Sequence, residues 1–294
     1  MNIRTHLRAL RVHQWMKNTL LLIPVITSHQ IDKPEVVKHV LIAIVAFCFA
    51  SSAVYMVNDL LDVKSDRNHP VKRHRPFASG ELGLANGLVM IVVCIGLAWL
   101  AGMECGVRFV EILAGYFLLT TLYSCLLKKE LVLDVLILSM FYTLRIFAGS
   151  VATGIFLSVW LLVFSMFFFF CLALVKRYAE LLEMAKEPQK EVASVGRSYI
   201  TLDLPQIGAL GVSSGMISVL VLALYVLSPE VLLLYHNPEI LLLLCPVLVY
   251  WTGRLWMLAN RGRIIGDPVL FALKDVPSYV MGAVALAIVY WATL

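Results

Sequence analysis

The sequence predicts an all-α, polytopic membrane protein, a bundle of nine transmembrane helices. Three observations predict it. The chain has 294 residues, of which 61% are hydrophobic and 15% charged, against about 45–50% and about 25% in an ordinary soluble domain. The apolar residues are gathered into runs long enough to cross a hydrocarbon core, which takes roughly 20 residues. Lys and Arg fall between those runs in a pattern that gives the bundle one direction.

The runs place spans at 16–30, 36–57, 85–103, 106–127, 131–150, 155–175, 205–228, 239–258 and 275–294. The first is short and interrupted by Pro24. With nine spans, basic residues crowd the loops on the N-terminal side, while the opposite loops hold only Lys33, Lys38 and Arg108. Positive loops stay cytoplasmic, so the N-terminus is expected inside and the C-terminus outside a bacterial-type inner membrane. Eight spans would put basic loops on both sides. No small-residue cleavage site follows the first apolar run, so no cleavable signal peptide is expected. No polar stretch is long enough to fold alone, and residues 1–294 read as one integral membrane domain.

The net charge of +5 is explained by topology and gives no reason to expect nucleic acid. The bilayer itself is a partner, and a homo-oligomer is compatible with the sequence, because membrane interfaces need only small residues and packing. Cys48, Cys94, Cys105, Cys125, Cys171 and Cys245 lie scattered, mostly in apolar runs, with no CxxC pair. They read as small buried hydrophobes rather than as disulfides or metal ligands.

The loop after the second span carries the chemistry. It reads NDLLDVKSDRNHPVKRHRPFASG, from Asn58 to Gly80. On a helix continuing from the span, the spacing of Asn58, Asp59, Asp62 and Asp66 puts all four on one face. Carboxylates so close repel one another, and a hard divalent cation removes that cost. All-oxygen ligands suit magnesium, which takes its remaining ligands from water and substrate phosphates. Pro70 is expected to stop the helix. His69 reads either as a further ligand or as a turn residue beside Pro70. Lys72, Arg73 and Arg75 follow at once, and cations of this kind bind phosphate oxygens. Together they describe a magnesium–diphosphate site. The competing reading is a solvated, topology-setting loop, which explains the basic residues but not the aspartates on one face.

At these residues the sequence resembles the UbiA superfamily of intramembrane prenyltransferases, whose first aspartate-rich motif has the form NDxxDxxxD. The extended motif here is more similar to the decaprenyl-phosphate phosphoribosyltransferase branch. Arg11-Val12-His13-Gln14-Trp15-Met16-Lys17-Asn18 resembles an N-terminal RPxQWxKN motif. Leu133-Asp134 with Tyr142 and Arg145 resembles a central LDV…YxxR pattern. Lys176-Arg177-Tyr178 and Gly266-Asp267-Pro268-Val269 resemble later landmarks. The resemblance implies a nine-helix bundle with a central cavity and cytoplasmic capping loops. It implies Mg2+ as cofactor, and transfer of 5-phosphoribose from phosphoribosyl pyrophosphate to a polyprenyl phosphate, decaprenyl or undecaprenyl. The product would be a precursor of lipid-linked arabinose donors for the cell envelope.

The chain departs from the ordinary superfamily pattern in one place. A second acidic motif, DxxxD, is expected after the sixth span, but here the segment begins Lys176-Arg177-Tyr178-Ala179-Glu180 and holds no Asp before Asp203. Lys176 and Arg177 read as ligands of another phosphate, or as snorkelling residues at the span's end. Glu180, Glu183 and Glu187 have no assigned role. Arg145 lies inside a span, where a charge is costly and by default faces a ligand or partner. A substrate phosphate is the favoured ligand. Asp134, eleven residues earlier and about 16 Å away along a straight helix, is the competing partner. Lys17 reads as a phosphate contact or an interfacial anchor, and Tyr142 as a substrate contact.

The expected chemistry assigns Asn58, Asp59, Asp62 and Asp66 to magnesium. Asp59, Asp62, Asp66 and Arg75 act on the leaving diphosphate, and Lys17, Asn58, Lys72, Arg73, Tyr142, Arg145, Lys176 and Arg177 bind substrate. The alternative within the superfamily is a true prenyltransferase acting on an aromatic or other small acceptor. A transporter or lipid-binding protein is a third reading, disfavoured by the lack of internal repeats.

Overall fold

The structure is a computed structural model that describes residues 3–68, 72–185, 198–264 and 266–294. The described residues are helical wherever they are regular. Eight of their helical segments are long and apolar enough to cross a membrane, from Pro34–Leu61 to Val276–Thr293. They match the last eight expected spans. The first expected span, 16–30, is a 3₁₀ helix, Val12–Leu22, leading into the short α2, Ile23–Thr27. Pro24 occupies the first turn of α2, where its missing N–H costs nothing. This segment is therefore not one regular membrane-length α-helix.

The chain divides into two compact units, Met1–Leu126 with Leu144–Leu157, and Leu127–Thr143 with Ser158–Leu294. The first unit contains α1 (Ile3–Leu10), α2, α3 (Pro34–Leu61), α4 (Val63–Arg67), α5 (Leu84–Glu104) and α6 (Val107–Cys125). It also takes the C-terminal part of α7 (Leu133–Thr153). α3 packs most extensively on α5. It offers a run of small buried residues, Ala43, Ala46, Ala50, Ser51, Ser52 and Ala53, and small residues let helices approach closely without a hydrophobic driving force. The second unit holds the start of α7 with α8 (Val159–Met184), α9 (Leu204–Val226), α10 (Leu244–Asn260), α11 (Pro268–Ala272) and α12 (Val276–Thr293), where α8 and α9 form the most extensive pairing.

Helix starts follow simple chemistry. Proline stands in the first turn of α3, α9, α11 and α12. The side chains of Asp267 and Asp275 cap α11 and α12 by accepting from Val269 N and Ser278 N, both at 3.0 Å. Arg254 grips Asp275 through two bonds of 2.7 and 2.9 Å. Gly154, at φ +68°, takes up the left-handed conformation just past the end of α7. All six cysteines are free; Cys48, Cys94 and Cys171 are buried as expected, whereas Cys105 and Cys245 are half-buried and Cys125 is exposed.

Two packing features position the site. Phe77 and Leu82, from the loop after the aspartate motif, are buried with Ala9, Ala53, Met56, Ile91 and Cys94. This cluster fastens α1, α3, α5 and the loop to one another. At Gly149 in α7 the backbone of the 3₁₀ helix comes so near that a Cβ would lie 2.2 Å from the Leu21 carbonyl oxygen. Gly149→Ala would gain about 1 kcal/mol of helix propensity, but overpacking against backbone costs about 1–3 kcal/mol. A fall in the melting temperature in detergent is the expected outcome; an unchanged or raised value would contradict this close approach.

Candidate active site

The aspartate motif sits at the end of α3, in the first unit. The expected uninterrupted helix is corrected: α3 ends at Leu61, Asp62 is its C-cap at φ −91° and ψ 2°, and α4 begins at Val63. Helical hydrogen bonds nevertheless bracket the break, from Asp62 N to Asn58 O (2.9 Å) and from Asp66 N to Asp62 O (2.8 Å). These two bonds keep the backbone near-helical through the break. α4 is capped at Asn68, while His69 and Pro70 lie outside the described residues.

Asp59 and Asp66 are brought together. Both are buried, 2% and 3% exposed, which would be costly for unpaired carboxylates. Arg75 offsets part of that cost by donating to Asp59 Oδ1 (3.1 Å) and Asp66 Oδ2 (2.7 Å). A second guanidinium, that of Arg11, donates to the same Asp59 oxygen (2.5 Å) and lies over the Tyr55 ring, 5.1 Å from its centroid. Sequence reasoning assigned no role to Arg11. Its backbone is left-handed, φ 51° and ψ 47°, where the chain turns from α1 into the 3₁₀ helix. That conformation is uncommon for a residue other than glycine and aims the side chain back at α3. Arg11 and Lys17, after burial, also lower the affinity of the His13 imidazole for a proton, a mark of crowded positive charge.

α1 is tied to the same loop. Arg8 pairs with Glu81 (3.0 Å) and donates to the His74 carbonyl, and Thr5 donates to Glu81 (3.3 Å). Lys72 and Arg73 are exposed beside Arg75, on a 3₁₀ turn from Lys72 to His74.

The donor set is compatible with a hard cation. Asn58 Oδ1 is buried and has no hydrogen-bond partner among the described residues, an expensive state for an amide oxygen unless a ligand meets it. Among the described residues no three Asp, Glu, His or Cys side chains converge as a self-sufficient cage. Magnesium characteristically uses one or two carboxylates and completes its shell with water and substrate phosphates.

Deeper along α3 lies a second charged position. Arg145 is 4% exposed. Its Nε donates to Asn18 Oδ1 (3.0 Å), its Nη2 donates to the Tyr116 hydroxyl (3.1 Å), and its guanidinium lies 5.2 Å from the centroid of that ring. Asn18, also buried, donates to Ser51 Oγ (3.4 Å) and Cys48 Sγ (3.3 Å) of α3. Trp15 donates to Ser52 (2.9 Å), so the RVHQWMKN segment is fastened to α3. Lys17, half-buried, is an electrostatic neighbour of Tyr116.

The second unit places its expected residues differently. α8 continues to Met184, so Lys176, Arg177, Glu180 and Glu183 are helical and not in a loop. Arg177 is fully buried, and its guanidinium bonds Asp134 Oδ2 (2.6 Å) and Glu180. It neither snorkels nor reaches outward. Asp134 also accepts from the Tyr199 hydroxyl (2.6 Å), which in turn accepts from Val132 N (2.8 Å). Burial first, and then the adjoining Asp134, push the Tyr199 phenol well above its ordinary pKa, so it remains a donor at neutral pH. The network holds Val132, a β-branched residue, at φ 63°, a strained conformation. Asp134 is thus a partner of Arg177 and Tyr199. Lys176 is half-buried. Tyr142 stacks on Phe169 with centroids 4.9 Å apart and donates to Asp267 at 3.4 Å. Glu187 lies outside the described residues.

An apolar multi-pass bundle carrying NDxxDxxxD at a helix end matches one family model, described as the UbiA prenyltransferase family, over residues 21–272. The chain belongs to the UbiA prenyltransferase family. It is a multi-pass membrane protein of that family. Nodulation protein NoeC of Azorhizobium caulinodans is 35% identical over 280 residues, 94% of this UbiA family chain and 89% of that protein. The uncharacterized protein y4nM of Sinorhizobium fredii is 35% identical over 286 residues, and there the chain spans only 54% of the relative's length. Decaprenyl-phosphate phosphoribosyltransferase of Corynebacterium glutamicum is 41% identical over 182 residues, 60% of this chain and 54% of that enzyme. A solved UbiA homologue from Archaeoglobus fulgidus, bound to DMAPP and Mg2+, superimposes with a TM-score of 0.72 at 16% identity, covering 97% of this chain and 99% of that one. That last likeness is one of fold.

Proposed function

We propose that this UbiA family member transfers 5-phosphoribose from phosphoribosyl pyrophosphate to a polyprenyl phosphate and releases pyrophosphate, with magnesium as cofactor. The observation that carries the reading is the extended aspartate motif, in which Arg75 joins Asp59 to Asp66 and Lys72 and Arg73 stand exposed beside them. The likeness to the Corynebacterium glutamicum phosphoribosyltransferase supports the same donor. So does the segment from Lys176, which holds no Asp before Asp203 and so lacks the second DxxxD that would hold more metal.

In this reading Asn58, Asp59, Asp62 and Asp66 are the residues that would hold magnesium, and the ion would supply positive charge against the leaving diphosphate. Lys72 and Arg73 bind the diphosphate oxygens as point charge and fork respectively. Arg75 keeps the two buried carboxylates in register. The bond from the anomeric carbon to the diphosphate oxygen breaks, and a lipid-phosphate oxygen bonds to that carbon from the opposite face. The acceptor phosphate is already ionised at neutral pH, so no side chain need remove a proton. Catalysis then rests on positioning and fixed charge. Lys17 and Arg145 bind a further phosphate, and Lys176 and Tyr142 contact substrate. We assign Arg177 to structure, because its guanidinium is committed to Asp134 and Glu180. We place the motif on the cytoplasmic side, with the N-terminus.

Prenyl transfer is the second reading, favoured by the Archaeoglobus homologue bound to DMAPP. Heat protection of the purified protein in magnesium separates the two. Phosphoribosyl pyrophosphate should raise the melting temperature at concentrations where dimethylallyl diphosphate does not. The reverse order would establish the prenyl reading instead.

A further inference from the structure

The end of α3 far from the aspartate motif carries a groove of about 580 Å³, within the range of about 300–1,000 Å³ typical of sites for small ligands. One wall is a face of the helix, where Pro34, Val37, Lys38, Leu41 and Ile42 recur at three- and four-residue spacing. The other wall is Ile31, with Asp32 beside it, from the turn between α2 and α3. That turn is tightly built. His29 is left-handed, at φ 55°; its N–H donates to Ile26 O (3.2 Å), and Gln30 N donates to Val25 O (3.1 Å).

Position separates this groove from the aspartate motif. Lys38 stands twenty-one residues before Asp59, about 32 Å along the helix axis, and a hydrocarbon core is roughly 30 Å thick. The groove therefore belongs to the membrane face opposite the motif. Its lining is mainly hydrocarbon, and Ile31 and Leu41 are 66% and 53% exposed. Its two charged members, Asp32 and Lys38, are both exposed towards the N-terminal end of α3, with Leu41 and Ile42 about a turn deeper along the span. An apolar trough with opposite charges at its mouth matches a molecule that has a hydrocarbon chain and a headgroup of both signs. The local charges select among headgroups. Lys33 and Lys38 are balanced by Asp32 and Glu35, so an anionic lipid gains no advantage. Lys38 lies 3.9 Å from Glu35, with both side chains mostly exposed, which leaves its ammonium open to a phosphate. The Asp32 carboxylate can accept hydrogen bonds from a primary ammonium, which a quaternary ammonium cannot donate.

We propose that this groove binds a zwitterionic phospholipid with a primary amine, an ethanolamine phospholipid, in the leaflet opposite the aspartate motif. Lys38 binds its phosphate, Asp32 its ammonium, and Ile31, Val37, Leu41 and Ile42 an acyl chain. The inference stands apart from the phosphoribosyl reading, since it uses no residue of that site.

The test is native mass spectrometry of the detergent-purified chain, titrated with ethanolamine, choline and glycerol phospholipids of matched acyl chains. Exposed ion pairs are weak, so the wild type should prefer the ethanolamine lipid by about three- to fivefold over each of the others. Asp32→Asn should abolish the preference over choline lipid. Lys38→Gln should weaken ethanolamine and choline lipids alike, and Leu41→Trp, which fills the trough, should remove the most tightly held lipid. All three positions are exposed, so the variants should melt as the wild type does in lipid-free detergent. Equal binding of the three lipids by the wild type would overturn the proposal without recourse to any variant. So would a preference for the glycerol lipid, or an ethanolamine preference that survives both Asp32→Asn and Leu41→Trp. A Leu41→Trp protein that loses a dimer but keeps its lipid would also overturn it, and would assign the groove to a second copy of the chain.

Discussion

Asp62→Ala is expected to lower phosphoribosyl transfer by about a thousandfold or more while leaving the protein inserted in the membrane. Asp62 is the pivot between α3 and α4, half-buried, with Asn58 one helical turn before it and Asp66 one turn after. On the proposed reading its carboxylate would act through magnesium on the leaving diphosphate, and removing one fixed electrostatic contribution of this kind costs about 10²–10³ in rate. Losing the carboxylate also weakens the metal's hold, which adds to the effect. Asp59 and Asp66 are less clean targets. Each is tied to Arg75, so removing either takes away one of the two carboxylates that guanidinium bridges and confuses folding with chemistry. Steady-state transfer in membranes, normalised to protein shown by protease protection to be inserted, checks the prediction. Near-normal turnover in Asp62→Ala would remove this residue from the chemistry.

Arg177→Ala is expected to cost about 3–5 kcal/mol of stability, the typical penalty for leaving a buried charge without its partner. Both side chains of the Arg177–Asp134 pair are fully buried, and Tyr199 and Glu180 complete the network. The loss should appear as a steep fall in melting temperature and in yield. Removing both members, as in Arg177→Met with Asp134→Leu, should recover part of the loss, because an apolar pair of similar volume avoids desolvating two charges. Phosphoribosyl pyrophosphate should retain its KM in whatever folded Arg177→Ala protein survives. A stable Arg177→Ala protein with a much raised KM would instead restore the phosphate-binding role that the sequence alone suggested.

The membrane spans were legible because span length and apolarity are fixed by the bilayer and not by tertiary contacts. The first segment was the exception. Its hydropathy suggested a span, but Pro24 and the tight fit of Leu21 against Gly149 go with a 3₁₀ path. Of the aspartate motif, the approach of Asp59 and Asp66 followed from helical spacing, since the backbone stays near-helical through Asp62, whereas the bridging Arg75 comes from the following loop, whose path spacing does not report. Arg11 was not. Its role depends on a left-handed turn that no periodicity reports, although an arginine opening the RVHQWMKN segment was a visible signal. Arg177 was misread because hydropathy ends the sixth span near residue 175, whereas α8 continues to Met184 and carries Arg177 inward to Asp134. Hydropathy measures where apolar residues stop, and a helix does not have to stop there.

The central claim is tested most directly by incubating the purified chain with labelled phosphoribosyl pyrophosphate, polyprenyl phosphate and magnesium, and following label into the organic phase. Magnesium-dependent label in lipid, lost in Asp62→Ala, is the predicted result. No lipid label from a folded preparation tried with several polyprenyl lengths, together with prenyl transfer from a prenyl diphosphate to an aromatic acceptor, would contradict it.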